Sequence, residues 1–187
     1  MPVTVLDART ALVVIDLQKG LLAYPTLHPI ADVIARAGAL AAAFRARALP
    51  VVLVTATGRP PGRTDQKRPA LVATPGWADP VPELGRQADD LLVAKTAPGA
   101  FGDSSLAGEL RARSVTQVVI VGVSSSQGVE ATARQAWDLG FNVTLPIDAI
   151  TDVDASMHEN SITRVFPRIG ETGSTADVLA LLPTLGD

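Results

Sequence analysis

The chain alternates short, continuously apolar segments with longer segments of helical periodicity, and this alternation strongly limits the folds open to it. The apolar segments contain almost no polar residues, as expected for strands buried on both faces of a parallel sheet. Four are clear, at residues 11–15, 51–55, 91–94 and 118–121; a fifth lies at 142–145 and a weaker sixth at 168–171. The sequence therefore predicts an α/β fold, a doubly wound sandwich of helices around a parallel sheet.

Between these strands, apolar residues recur at intervals of three and four, which predicts amphipathic helices. The predicted helices span residues 30–48, 104–113, 127–139, 155–165 and 174–182. Three features mark helix ends: Gly140 after the third helix, Asp154 before the fourth, and Ser174 with Asp177 at the start of the fifth. These residue types are typical of a C-terminal cap, an N-cap and a capping box.

Residues 58–82 fit neither pattern. This segment contains six of the fourteen prolines, at positions 60, 61, 69, 75, 80 and 82. An irregular segment of this length in a compact domain usually forms a functional lid or a subunit contact. A solvated excursion without a function is the alternative.

Size and composition indicate one globular domain over residues 1–187, because 47% of the residues are hydrophobic and 19% are charged. The 16 basic and 19 acidic residues give a net charge of −3 without a basic cluster, so no nucleic-acid partner is expected. Residues 1–10 do not resemble a signal peptide, and no apolar run approaches the ~18 residues of a membrane span. We therefore expect a cytoplasmic protein.

The chain contains no cysteine. This excludes a disulfide framework, a thiolate metal site and a cysteine nucleophile.

Polar residues at the ends of the predicted strands are the first candidates for a functional site, because ligands of open parallel sheets bind at the carboxyl ends of the strands. Asp16 ends the first strand, Lys95 ends the third, and residues 122–128 (GVSSSQG) connect the fourth to a helix. Each has a structural alternative: an aspartate often caps a turn, and a lysine often extends from a sheet edge. Together, a carboxylate and an ammonium in one crevice tune each other's pKa for proton transfer.

The small residues of segment 122–128 allow backbone N–H groups to approach a ligand closely at the start of the following helix. Such a turn is suited to an oxyanion hole or a carboxylate site. The spacing GxxxxGK[ST] of a phosphate-binding loop is absent.

These residues resemble the isochorismatase-like hydrolase superfamily: Asp16 in VVIDLQ, Lys95 six residues before Phe101, and the block GVSSSQGVEATARQAWDLGFNVT. The similarity continues through Asp148–Asp152 and His158. It implies a six-stranded parallel sheet of order 3-2-1-4-5-6, a non-proline cis peptide at Val123–Ser124 and a homodimer or larger homo-oligomer. Most members of this superfamily are cysteine amidohydrolases with an Asp-Lys-Cys triad.

The sequence departs from that pattern at the nucleophile, whose position is occupied by Gly128. The resemblance then points to non-covalent hydrolysis, as in isochorismatases, which cleave a vinyl ether. It implies that Asp16 protonates the substrate, that Lys95 orients the acid or a substrate carboxylate, and that Gly128 leaves free the volume of a thiol. A small, anionic substrate is expected. The alternatives are an amidohydrolase that uses water directly and a catalytically silent binding protein.

Among the other residues, Ser124, Phe101 and Trp77 are candidates for substrate binding, the aromatic pair as walls for a flat ring. Ordinary packing is the alternative for both rings. A serine nucleophile is not favoured because no histidine lies nearby in the sequence. The two histidines, His28 and His158, are 130 residues apart, so a shared metal site is not expected, nor is any cofactor.

Overall fold

The computed structural model describes residues 3–66, 74–102 and 105–182. Within them lies a parallel sheet of seven strands: β1 Thr10–Ile15, β2 Val51–Ala56, β3 Leu91–Lys95, β4 Gln117–Val123, β5 Asn142–Pro146, β6 Ile150–Thr151 and β7 Glu171–Gly173. The strand order is β3-β2-β1-β4-β5-β7, and β6 pairs with β4. The expected order 3-2-1-4-5-6 is thus confirmed, with β7 as the sixth strand in the row. The short strand β6 is an addition, and the last strand begins later than predicted because a helix occupies Phe166–Ile169.

Helices cover both faces of this sheet. They are α1 Ile30–Arg45, α2 Leu106–Ala112, α3 Glu130–Asp138, α4 Ala155–Asn160, α5 Phe166–Ile169 and α6 Thr175–Leu181. Two wide turns of π type, Ser125–Val129 and Ser161–Val165, replace the first turn of the third predicted helix and the end of the fourth. The predicted start of the second helix at residue 104 lies outside the described residues. Asp154 and Ser174 cap α4 and α6, the latter in a capping box with Asp177.

Two apolar cores lie on the two faces of the sheet. On β1, Leu12 and Val14 belong to the core under α1 and α6. The alternate residues Ala11, Val13 and Ile15 belong to the core under α2, α3 and α5. Because both faces of the central strands are covered, their positions need apolar side chains, which explains the continuous apolar segments at 11–15 and 118–121. Segment 91–94 differs from the expectation: it forms the edge strand β3, where Leu92 and Ala94 are exposed. The three-layer α/β sandwich is confirmed.

The strand order reverses between β1 and β4, whose carboxyl ends lie side by side in the register Ile15 to Gly122. Gly122 has φ 114°, and a Cβ there would collide with the carbonyl oxygen of Ile15. Only glycine fits this close approach of two backbones. The crevice beyond these strand ends is where open α/β sheets bind their ligands.

The proline-rich segment is described except for residues 67–73. Its later part forms a turn that carries Trp77, a bridge from Pro80 to Gln18, and a 3₁₀ turn at Pro82–Leu84. None of the helices in the described residues is long and apolar enough to span a membrane.

Candidate active site

A cavity of about 270 Å³ opens at the carboxyl ends of β1, β3 and β4. Five of the six predicted site residues line it: Asp16, Trp77, Lys95, Ser124 and Gly128. The segment that follows β1 contributes an apolar wall, which includes Leu17, Leu21, Leu22 and Tyr24. The cavity therefore combines a few polar groups on its floor with a largely apolar mouth, as small-molecule sites usually do.

Asp16 and Lys95 form a buried ion pair on the floor of this cavity. Lys95 Nζ donates to Asp16 Oδ2 at 2.8 Å, and the side chains are only 7% and 10% exposed. The two residues lie on strands separated by β2, a distance of about 10 Å across the sheet. Because β2 pairs with Lys95 at its last residue, Ala56, the lysine side chain reaches across the end of that strand.

Burial raises the pKa of the Asp16 carboxyl; the charge and hydrogen bond of Lys95 and the nearby N–H of Ala56 offset only part of this rise. Asp16 Oδ1 is buried and has no hydrogen-bond partner among the described residues. A carboxyl with a raised pKa retains its proton closer to neutral pH and is suited to general acid catalysis.

Gly128 lies against this carboxyl in a closely packed environment. A Cβ at this position would lie 2.9 Å from Ile15 Cγ2, 3.1 Å from the carbonyl oxygen of Val123 and 3.2 Å from Asp16 Oδ2. These contacts are those of a Cβ alone, so the expectation that this glycine leaves free the volume of a thiol stays a prediction. The glycine lets the turn after β4 pack directly on the end of β1.

The turn after β4 carries the cis peptide bond Val123–Ser124 that the resemblance implies. One of its amides is already occupied by the protein, since Ser126 N–H donates to Asp152 Oδ2 at 2.8 Å. The same oxygen accepts the hydroxyl of Ser125, and Val153 N–H donates to Oδ1. Burial would raise the pKa of Asp152, but these hydrogen bonds outweigh it and lower the pKa. An internal carboxylate thus takes part of the expected anion site.

Sequence reasoning missed the pairing of the two histidines. Their ring centroids are 5.1 Å apart, and His158 Nδ1 lies 2.9 Å from the hydroxyl oxygen of Ser125. His28 Nδ1 contacts Thr151 Oγ1 at 3.1 Å. Burial and the neighbouring His28 lower the pKa of His158. The presence of Asp148–Asp152 and His158 in the recognised motif was the available signal; a separation of 130 residues concealed the contact.

This network does not activate a serine nucleophile. Because the carboxylate of Asp152 can only accept, the Ser125 hydroxyl donates to it and accepts the N–H of His158. Ser125 is fully buried and is absent from the cavity lining. Within the described parts of the chain, no group of three or more His, Asp or Glu side chains is placed to hold a metal ion.

The prediction that Phe101 forms a wall of the substrate site is wrong, because Phe101 does not line the cavity and belongs to the apolar core under α2, α3 and α5. Its side chain is 7% exposed and stacks on Phe141 with ring centroids 5.9 Å apart. The Phe101 N–H donates to the amide oxygen of Gln135 on α3, which fixes the chain in this inward direction. The other aromatic candidate, Trp77, lines the cavity, and its carbonyl oxygen accepts the N–H of Gly20 at 2.9 Å.

Most of the chain is similar to proteins of one known family. The model of the isochorismatase domain matches residues 10–177. An uncharacterised isochorismatase family protein of Escherichia coli O157:H7, YecD, is 39% identical over 95% of this chain and 98% of its own length. A ureidoacrylate amidohydrolase of Pseudomonas syringae pv. syringae is 31% identical over 79% of this chain and 73% of its own. The solved structure of an isochorismatase family protein from Burkholderia thailandensis superposes with a TM-score of 0.92 at 35% identity, covering 96% and 98% of the two chains.

Proposed function

The chain belongs to the isochorismatase family of hydrolases, and on that premise we propose that it hydrolyses a small substrate without a covalent intermediate, with Asp16 as the proton donor. The buried Asp16–Lys95 pair beside Gly128 is the observation that carries this proposal. The chain has no cysteine, and its two histidines contact Ser125 and Thr151 rather than Ser124, the serine in the cavity lining, so we take water as the nucleophile.

A vinyl ether that bears carboxylates, such as isochorismate, is the first candidate substrate. In this reaction the Asp16 carboxyl transfers its proton to the terminal carbon of the vinyl group, which gives an oxocarbenium ion. The oxygen of water bonds to the cationic carbon, and the resulting hemiketal breaks its ether C–O bond to release a ketone and an alcohol. The proton lost by water returns to Asp16. The raised pKa of Asp16 supports this assignment.

Lys95 supports the proposal by holding the acid in place. Its ammonium bonds Oδ2, whereas Oδ1 of Asp16 has no hydrogen-bond partner among the residues that the structure describes and can carry the proton. The cavity lining holds two cationic residues, Arg59 and Lys95, and two acidic ones, Asp16 and Asp152. Because Lys95 pairs with Asp16, Arg59 is the cationic residue of the lining that we assign to a substrate carboxylate.

Amide hydrolysis by water is the second candidate, favoured by the similarity to a ureidoacrylate amidohydrolase. The same acid would then protonate the departing nitrogen, and ammonia or an amine would be released. A catalytically silent binding protein on this scaffold is the third.

The test is incubation of the purified protein with isochorismate and with a panel of carboxylated amides and ureides, followed by measurement of pyruvate and ammonia. We expect pyruvate from isochorismate, and about a 10²–10⁴-fold loss of rate in Asp16→Asn. Lys95→Met should also lose activity, whereas Lys19→Met, a lysine whose side chain is 51% exposed, is the matched control and should retain it. Ammonia without pyruvate would establish the amidohydrolase, and ligand binding without either product would overturn catalysis.

A further inference from the structure

Two histidines meet beside the mouth of the cavity, His28 in the segment before α1 and His158 on α4. Their ring centroids are 5.1 Å apart, and the ring planes are tilted by 60°. His28 lies between Thr26 and Ile30, both of which line the cavity, and His158 contacts Ser125 in the turn after β4. The pair therefore connects two walls of the cavity.

The mouth segment, residues 25–28, is held against the end of β6 by two backbone amides. Leu27 N–H donates to the carbonyl oxygen of Asp152 at 2.8 Å, and His28 N–H donates to Thr151 Oγ1 at 3.2 Å. Within the described residues, every hydrogen bond from this segment to another part of the chain goes to Thr151 or Asp152. A weaker contact between His28 and Thr151 would therefore loosen the wall that Thr26 contributes to the cavity.

Protonation of His28 weakens this contact. The Thr151 hydroxyl accepts the His28 N–H, and its own hydrogen has His28 Nδ1, at 3.1 Å, as its acceptor in the described parts of the chain. A protonated Nδ1 is a donor and no longer accepts. The bond then has to reverse, and the hydrogen of the fully buried Thr151 hydroxyl loses its partner.

Protonation of both rings adds a repulsion between like charges. Nδ1 of His158 already carries a proton, which it donates to Ser125, so an added proton at Nε2 makes this ring a cation. Two unit charges about 5 Å apart near a protein surface disfavour their contact by about tenfold. Protonation therefore acts on the His28–His158 contact from both sides.

The charged groups around the pair do not remove this repulsion. Burial and His28 lower the pKa of His158 by more than the carboxylate of Asp152, which faces it from the end of β6, raises it. Within the described chain, the other charged residues of the neighbouring elements form no ion pair or hydrogen bond with either ring: Asp32 on α1, Glu130 on α3, Asp154 and Glu159 at α4, and Arg164 after it.

We propose that His28 and His158 form a pH-sensitive switch at the mouth of the cavity: with neutral rings the mouth segment is bound to Thr151 and Asp152, and with both rings protonated it separates from them and opens that wall. Histidine side chains take up protons near pH 6.5, so the segment is bound at pH 8 and released at pH 5. The inference rests on the proposed function, because this wall encloses the cavity in which Asp16 is the proposed acid.

The test measures hydrogen exchange at the two amides that hold the mouth segment. Protection factors of the Leu27 and His28 amides are measured by NMR at pH 8 and pH 5, each corrected for the intrinsic exchange rate at that pH. We expect both protection factors to be about five- to tenfold lower at pH 5. The Gly20 amide, which donates to the carbonyl oxygen of Trp77 at another side of the mouth, is the internal control and should keep its protection.

His158→Asn removes one of the two charges and keeps an amide close to the position of Nδ1. In this variant the protection of the Leu27 and His28 amides should no longer fall at pH 5. Glu159→Gln, at the next and exposed residue of α4, is the matched control and should show the same fall as the unchanged protein. If His158→Asn does not fold, His28→Gln provides the same test at the Leu27 amide.

Equal protection of the Leu27 and His28 amides at both pH values would overturn the proposal, as would an undiminished fall in His158→Asn. An equally large fall at Gly20 would also overturn it, because the whole mouth would then loosen without the histidine pair. The measurement needs no substrate, so its result is independent of whether the proposed hydrolysis is found.

Discussion

Replacement of Gly128 by alanine tests how tightly the end of β1 and the turn after β4 are packed. The added methyl group would lie 2.9 Å from Ile15 Cγ2 and 3.2 Å from Asp16 Oδ2. Ile15 is fully buried in β1 and its Cγ2 sits on a branched carbon, so the contact is relieved only by moving the strand. Gly128 is not among the described glycines with positive φ, so the penalty is steric rather than conformational.

The magnitude follows from overpacking in a closed core, which costs about 1–3 kcal/mol. For a chain of this size, about 1 kcal/mol corresponds to about 2–4 °C in Tm. We therefore expect Gly128→Ala to lower Tm by about 2–12 °C in thermal unfolding, with a matching decrease in the urea midpoint. Activity should fall as well, because the methyl group displaces the carboxyl that Lys95 holds.

Gly108 supplies the matched control, since it lies exposed in α2 and a Cβ there would meet nothing within 4 Å. Gly108→Ala should be neutral or stabilising by up to about 1 kcal/mol. A cycle with Ile15→Ala, which removes Cγ2, should show coupling of at least about 1 kcal/mol. Equal stability of Gly128→Ala and Gly108→Ala, or an equal cost of Gly128→Ala in both Ile15 backgrounds, would refute the reasoning.

Asp90→Ala should lower the free energy of unfolding by about 3–5 kcal/mol in urea, because the Arg45 side chain is only 11% exposed and would lose a two-point ion pair. The added change Arg45→Met should recover part of that free energy. An equally large loss in the double variant would contradict this prediction. The pKa of His158 is lower in the folded protein than in the unfolded chain, so the unfolded chain binds more protons and the stability falls as the pH drops through about 6.5. In His158→Asn this decrease in stability should be smaller, as measured by urea unfolding at pH 7 and pH 5. An identical decrease would contradict the lowered pKa of His158. Several large apolar side chains are exposed, among them Trp137 (54% exposed) and Tyr24 (49% exposed), which favours a homodimer or larger homo-oligomer. Light scattering at micromolar concentration should detect that assembly, and a monomer at this concentration would disprove the prediction.

The layers and most of the strands could be predicted from the sequence because burial on both faces leaves a simple mark, a run of apolar residues. The same argument located Asp16 and Lys95, since a polar residue directly after a buried strand stands at the edge where ligands bind. The strand β6 left no such mark. It has only two residues, Ile150 and Thr151, and its existence depends on pairing with β4 rather than on its own pattern.

The details that sequence reasoning missed depend on side-chain direction. Lys95 and Phe101 are both near the end of β3, yet one turns to the cavity and the other into the core, where Gln135 holds the backbone. Periodicity cannot distinguish these outcomes in an irregular turn. Likewise, a fully buried Gln18 in a connecting segment looks like any polar loop residue until its partner Ala56 is known.

Strand β4 changes its neighbour along its length: Gln117–Val119 pair with β5, whereas Gly122 and Val123 pair with β6. Asp152 follows β6 directly, and Ser126, whose N–H it accepts, lies in the turn that follows β4. Both partners of that hydrogen bond are therefore attached to the same strand. The spacing of this pair is therefore set by the carboxyl end of β4 and does not depend on the register in which β4 and β5 pair further back, so the wall of the cavity and the outer part of the sheet are positioned by different parts of one strand.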